Sequence, residues 1–302
     1  DPACGSCGFL AQAYERMREL EKGVEHYEIL QEKTFFGHEK KAVPALLGVL
    51  NLILHGVTAP RILRRNTLEE NIRQVSERYD VVLTNPPFGG TEGRNIQDNF
   101  PVKSNATELL FVEHIMKKLK PRDGARCSMV VPEGTLFRGG AFATVKKDLL
   151  ENLDLFMIVS LPPGTFSPYS DVKAALMFFQ RPGPTKEVLY YEMPLPKGLK
   201  KFSKGSPILD ENFGEIRKIW LKWKDYREGT GKKPKSKETS WVESAEILAM
   251  REYDLSAKNP YHPEAEHIPL VADLTSRLLE RNRELQGVLE RLHELVTNRE
   301  EV

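Results

Sequence analysis

The chain contains no apolar run near the roughly 18 residues that a membrane-spanning helix needs, which argues against a helical span. It has three cysteines in 302 residues. That sparse, odd set argues against a disulfide framework. It has no surplus of either charge: 44 Lys and Arg stand against 43 Asp and Glu, a formal net charge of +1. Charge alone therefore does not mark a nucleic-acid binder. The opening residues lack the basic, apolar and small-residue pattern of a secretory signal, and no internal repeat is present. These absences lead to the expectation of a cytoplasmic protein without membrane association. What is present is an ordinary globular mixture, 40% hydrophobic and 29% charged, on a chain long enough for one large domain with an appendage.

The first residues read as the interior of a fold. Asp1-Pro2-Ala3-Cys4-Gly5 is a turn that a strand normally delivers, and a first strand largely missing is the expectation. Hydrophobic periodicity then predicts helices over 11–22, 42–54, 107–119 and 141–151. It predicts strands over 33–36, 61–65, 79–84, 125–131, 155–161 and 174–179. Strands alternating with helices indicate an α/β fold with a mostly parallel twisted sheet. Residues 1–200 are expected to form the main domain, 201–262 a basic, partly irregular segment completing or flanking the core, and 263–302 a C-terminal helical extension.

Between Lys197 and Lys237 there are 13 Lys or Arg against 5 Asp or Glu. A solvated surface with a loop near Gly229 explains this excess, and so does phosphate contact. Trp220, Trp223 and Tyr226 nearby fit core packing better than base stacking. In the tail, Val271, Leu274, Leu278, Leu285, Val288, Leu292 and Leu295 form a heptad-like seam interrupted at Arg281, suited to a partner helix or to packing within the chain.

Three elements carry chemistry. The first is the turn from Asp1 to Phe9 ahead of a helix. Its small residues let backbone approach a ligand, and a helix N-terminus offers amide donors. The second is Glu39, just beyond the strand predicted at 33–36, where a carboxylate can accept both hydroxyls of a ribose. The third is Asn85-Pro86-Pro87-Phe88, which stops the strand Tyr79–Thr84. An exocyclic amine on a heterocyclic base is a poor nucleophile, because its lone pair is delocalised into the ring. The Asn85 side-chain oxygen and the Pro86 carbonyl can accept its two hydrogens and leave the lone pair available. The prolines fix the turn, and Phe88 offers a flat face. The plain alternative is that Asn-Pro-Pro only ends a strand. Cys4-Gly5-Ser6-Cys7 is formally a CxxC pair. A zinc site needs further ligands and only Cys127 remains, so no metal is expected.

Taken in order, these elements resemble an amino-methyltransferase family, the modification (M) subunit of type I restriction–modification systems. The matching stretches include DPACGSCGFL at 1–10, FGHE at 36–39, NLILHG at 51–56, YDVVLTNPPFGG at 79–90, ATELLFVEHIMKKLKP at 106–121, GARCSMVVPEGTLF at 124–137, LPPGTFSPYSDVKAALMFF at 161–179 and YDLSAKNPY at 253–261, covering nearly the whole chain. The resemblance implies a Rossmann-like fold, S-adenosylmethionine as cofactor, and methylation of the adenine N6 amino group in DNA after base flipping. It places Asp1, Ala3, Gly5 and Gly8 around the methionine part of the cofactor, Glu39 at its ribose, and Asn66 near its adenine. Asn85, Pro86, Pro87 and Phe88 would hold the target base at the catalytic turn, Asn85 also bordering the cofactor, with Phe166 as a second aromatic wall. It also implies a specificity (S) subunit, contacted through the C-terminal helix, and a restriction (R) subunit. Two residues depart from the family pattern. Cys7 replaces a glycine, and its side chain is expected to crowd the cofactor. Asn66 replaces an acid. Other readings that stay open are methylation of cytosine N4 or of a protein glutamine, and a truncated subunit with a partner-binding role.

Overall fold

The computed structural model describes residues 1–20, 23–256, 259–261, 275, 279, 281–283 and 285–290. Two compact units are present, Asp1–Asn259 and Pro260–Val302. In the second unit, the described seam residues Leu285 and Val288 are helical and exposed. The rest of the seam, Val271, Leu274, Leu278, Leu292 and Leu295, lies outside the described residues.

In the first unit the elements run α1 (Gly8–Arg18), α2 (Val24–Glu32), β1 (Phe36–Glu39), α3 (Ala42–Leu54), β2 (Arg61–Arg64) and β3 (Val81–Thr84). They continue with α4 (Arg94–Gln97), α5 (Thr107–Lys118), β4 (Arg126–Pro132), α6 (Gly134–Phe137), α7 (Ala141–Asn152), β5 (Asp154–Ser160) and β6 (Ala174–Gln180). The last are β7 (Glu187–Glu192), α8 (Gly214–Arg227), β8 (Ser240–Ser244) and α9 (Ala245–Met250). Short 3-10 turns at Thr67–Glu69 and Ile72–Gln74 follow β2.

The strands form a parallel pair, β1-β2, and a six-stranded sheet in the order β3-β4-β6-β5-β7-β8. Within that sheet β3, β4, β5 and β7 share one direction, and β6 and β8 oppose it. The fold is thus α/β with a mainly parallel sheet, the Rossmann-like arrangement expected. The apolar runs explain the central strands. β5 is buried at six of seven positions, as a strand covered on both faces must be. α5 has Glu108 in its first turn and Lys117 and Lys118 in its last, matching the helix dipole. Eleven of its twelve residues are buried, which makes it a central layer of the core.

Several boundaries differ from the sequence expectation. β1 begins at Phe36, where the predicted 33–36 strand ends. Its register is set by pairing with β2, Phe36 against Arg61 and Glu39 against Arg64. α1 ends at Arg18 rather than 22. α2, α4, α6, β7, α8, β8 and α9 are additional to the predicted elements. Residues 201–262 contribute α8, which packs on the sheet face that carries Phe156, Val159 and Leu189, and β8, which pairs with β7. Trp223 is buried and its indole nitrogen donates to the Phe156 carbonyl at 3.0 Å. Trp220 lies 5.2 Å from the Phe156 ring. The Tyr226 hydroxyl donates to Glu187 at 3.0 Å. These aromatics serve packing.

Candidate functional site

The carboxyl ends of β1, β2 and β3 open toward the loop Asp1–Cys7. Asp1 connects the two sheets. Its backbone nitrogen donates to the Phe36 carbonyl at 2.9 Å, and its own carbonyl accepts from the His38 amide at 2.9 Å. These are the two bonds of a parallel ladder centred on Gly37. Its carboxylate Oδ1 accepts from the Ala3 amide at 3.0 Å and from the Thr84 hydroxyl at 2.7 Å, the latter at the end of β3. The chain then turns through Cys4 into α1, with the Cys7 amide donating to the Cys4 carbonyl at 2.7 Å.

Cys7 occupies the N-cap of α1 at φ 62° and is fully buried. A Cβ added at Gly48 of α3 would stand 2.5 Å from its sulfur, so only glycine at position 48 admits this side chain. The thiol therefore fills the space between α1 and α3, among Leu10, Tyr14 and Leu52. The left-handed backbone at Cys7 turns its side chain into this apolar cluster. Cys4 and Cys7 share a side-chain hydrogen bond, which with burial raises the Cys4 thiol; the same bond lowers the Cys7 thiol against the opposing effect of burial. Among the described residues no group of three or more His, Cys, Asp or Glu could hold a metal ion.

Glu39 ends β1. Its Oε2 accepts from the Gly5 amide at 3.1 Å and its Oε1 from the Lys41 amide at 2.8 Å. The carboxylate thus faces the loop and caps the approach to α3, with lone pairs left on both oxygens. Asn66 follows β2. Its Oδ1 accepts from the Leu68 amide at 3.2 Å, and its NH2 group is the donor end of the same side chain. Next to it, the buried Thr67 hydroxyl donates to the Pro2 carbonyl at 2.6 Å and lies 3.3 Å from His38 Nδ1. Burial, then Arg65 and Lys118, pushes the His38 imidazole down to about 3, so it is neutral.

Beyond Gly5 and Gly8 nothing stands within 4 Å of where a Cβ would be. A loop with free space beside two glycines, bonded to a carboxylate, has the chemistry to hold a nucleoside bearing a charged amino-acid tail. Asp1, Ala3 and Gly5 lie in this loop and Gly8 begins α1; Glu39 is bonded to the loop at Gly5, and Asn66 adjoins Thr67, which is bonded to it at Pro2.

At the end of β3, Asn85 is exposed, Pro86 buried and Pro87 exposed. The Phe88 ring meets Phe166 edge-to-face, with centroids 5.4 Å apart, 78 residues away in sequence. Both rings rest on the cluster that contains Phe156, Met157 and Leu161. The Phe166 loop is fixed by Gly164, at φ +80°, where a Cβ would come within 2.1 Å of the Phe202 carbonyl oxygen. The structure therefore brings together the predicted base-holding turn and the predicted second wall. Thr84 and Thr67, which tie the loops together, were not singled out from the sequence. The only signal for Thr84 is a polar residue closing the run Val81-Val82-Leu83.

Comparison with known proteins bears on this geometry. Residues 1–268 match the N-6 DNA methylase family. The EcoEI type I restriction enzyme methylase subunit of Escherichia coli is 38% identical over 268 residues, covering 87% of this chain and 53% of that protein. The EcoKI methylase subunit of Escherichia coli strain K12 is 29% identical over 241 residues, covering 73% and 44%. A solved structure bearing on complex assembly and conformational transition of the type I R-M system is 64% identical with a TM-score of 0.86, covering 99% of this chain and 61% of that one. The chain spans about half the length of the curated relatives it matches. With matching motifs, fold and family profile over most of its length, the chain belongs to the N-6 DNA methylase family.

Proposed function

We propose that this chain forms the catalytic centre of a type I modification subunit and transfers a methyl group from S-adenosylmethionine to the N6 amino group of adenine in DNA. The observation that carries the reading is the Asn85–Phe88 turn, standing at the end of a strand whose last hydroxyl is bonded to the glycine-containing loop. S-adenosylmethionine supplies an electrophilic methyl group on a sulfonium. Asp1, Ala3, Gly5 and Gly8 bind its amino-acid end, Glu39 its ribose hydroxyls, and the Asn66 NH2 its adenine. Phe88 and Phe166 form an aromatic corner against which a flipped base can lie. The Asn85 carbonyl oxygen and the Pro86 backbone carbonyl accept the two N6 hydrogens and direct the lone pair at the methyl carbon. A C–N bond forms as the S–C bond breaks, and the nitrogen then loses one proton to solvent.

The partners follow the same reading: duplex DNA, a specificity subunit engaged through the C-terminal helix, and a restriction subunit in the larger complex. A DNA-reading partner is consistent with the net charge of +1. The likeness to type I methylase subunits supports adenine over cytosine N4 or a protein glutamine.

The test is labelled-methyl incorporation into duplex DNA by the assembled complex, with nucleoside analysis of the product. N6-methyladenine is expected. Asn85→Ala is expected to lower kcat by about 100- to 1000-fold, the size of effect seen when one aimed polar group is lost from a preorganised site. Cofactor affinity should stay within a few-fold. Methylcytosine as product, or wild-type turnover by Asn85→Ala, refutes the assignment.

A further inference from the structure

We propose that Thr84 is a positioning residue for methyl transfer, its buried hydroxyl fixing the base-holding turn against the cofactor loop through the Asp1 carboxylate. This rests on the functional reading above and adds a residue to it.

Thr84 is the last residue of β3 and has no solvent exposure. Its strand neighbours Val81, Val82 and Leu83 are apolar. A hydroxyl buried in such a place needs a partner. The partner is Asp1 Oδ1 at 2.7 Å, a short bond to a carboxylate, among the stronger kinds of hydrogen bond. The same oxygen accepts the Ala3 amide at 3.0 Å. One atom thus joins the loop that would hold the methyl donor to the strand that delivers Asn85. A shift at Thr84 passes to Asn85 through a single peptide unit.

The loop is also held from its other side, where Thr67 donates to the Pro2 carbonyl at 2.6 Å. The two threonines differ in what lies beyond them. Thr67 leads to the turn bearing Asn66, on the cofactor side. Thr84 leads to the turn that would hold the acceptor nitrogen. Methyl transfer requires donor carbon and acceptor nitrogen to be aligned, and a misplacement of about 1 Å in such a pair costs about 100-fold in rate. Thr84 therefore acts on alignment, and Thr67 on the shape of the cofactor cleft.

The substitutions Thr84→Val and Thr84→Ser separate the hydroxyl from the side-chain shape. In the assembled complex, Thr84→Val is expected to lower kcat by about tenfold or more, with KM for S-adenosylmethionine changed less than about threefold. Thr84→Ser is expected to recover most of the loss. Unchanged kcat in Thr84→Val, or a raised KM with kcat intact, overturns the proposal. A second measurement needs no turnover: the urea midpoint of Thr84→Val alone and in an Asp1→Ala background. The drop in midpoint is expected in the parent and absent with Asp1→Ala. Equal drops in both mean that the bond does not couple the two segments. Should the parent complex transfer no methyl group to DNA, the functional reading fails, while the urea comparison still decides the Thr84–Asp1 link.

Discussion

Replacing Glu39 by glutamine separates the loop-holding role that the structure gives its carboxylate from its proposed role at the ribose. Its Oε2 accepts the Gly5 amide at 3.1 Å and its Oε1 accepts the Lys41 amide at 2.8 Å. Glutamine keeps one acceptor oxygen and presents an NH2 group to the other amide, donor facing donor. A hydrogen bond to a charged group contributes about 1.5–3 kcal/mol. Glu39 is half-buried, so solvent offsets part of the loss, and the stability cost is expected near about 1 kcal/mol. The cofactor should lose more. Two ribose hydroxyls need two acceptors, and Glu39→Gln offers one neutral oxygen already claimed by an amide. Losing one charge-assisted bond corresponds to about 10- to 100-fold in Kd. Titration calorimetry with S-adenosylmethionine reads the second effect, and urea unfolding without cofactor reads the first. Affinity within about twofold of the parent, in a variant shown to fold, removes Glu39 from the ribose site.

Two further substitutions probe the base side and the core. Phe166→Ala should lower kcat/KM on duplex DNA by about 5- to 100-fold, the range for one base–aromatic stack, with Kd for S-adenosylmethionine unchanged. An unaltered kcat/KM would exclude Phe166 as a wall. Glu113 of α5 is buried, accepts the Val102 amide at 3.2 Å, and its carboxyl is pushed up to about 7 by burial. Between the ordinary glutamate value and 7, the native state keeps a proton that the unfolded state releases. Its contribution to stability is therefore full at low pH and lost as pH rises through 7. Glu113→Gln should flatten that decline and raise the urea midpoint at pH 8; an unchanged slope from pH 5 to 8 contradicts the burial argument.

Much of the fold was legible because its signals are local. The run Tyr79–Thr84 followed by two prolines leaves little choice but a strand that stops, and β3 lies within the predicted span. The β1 error has a physical cause. Phe35 and Phe36 carry the apolar signal, whereas Gly37, His38 and Glu39 have weak strand preference and are held in place by pairing with β2. The strands β7 and β8 lie in or beside a Pro- and Lys-rich region whose composition masks a strand pattern. The least legible features were contacts between distant residues. The destination of the Cys7 side chain depends on Gly48 lacking a Cβ, and the role of Thr84 on a carboxylate 83 residues away. Motif reading named candidate ligand-touching groups. It missed those that hold the motifs in register.

The basic segment illustrates how structure divides work that composition leaves merged. Lysines and aromatics interleaved along Gly214–Arg227 could read as a nucleic-acid surface in which both kinds contact one partner. The aromatic faces are already used: Trp223 is bonded to the Phe156 backbone, Trp220 packs on the Phe156 ring, and Tyr226 reaches Glu187. Lys218, Lys222 and Lys224 remain at the exposed surface. Any contact of α8 with DNA would therefore be electrostatic and blind to base identity, and would weaken steeply with salt. Stacking on a base must come from elsewhere. The Phe88–Phe166 corner rests on the same aromatic cluster that α8 completes from behind. If the proposed base site is right, the aromatic residues of α8 serve it indirectly, by packing in the cluster on which the corner rests.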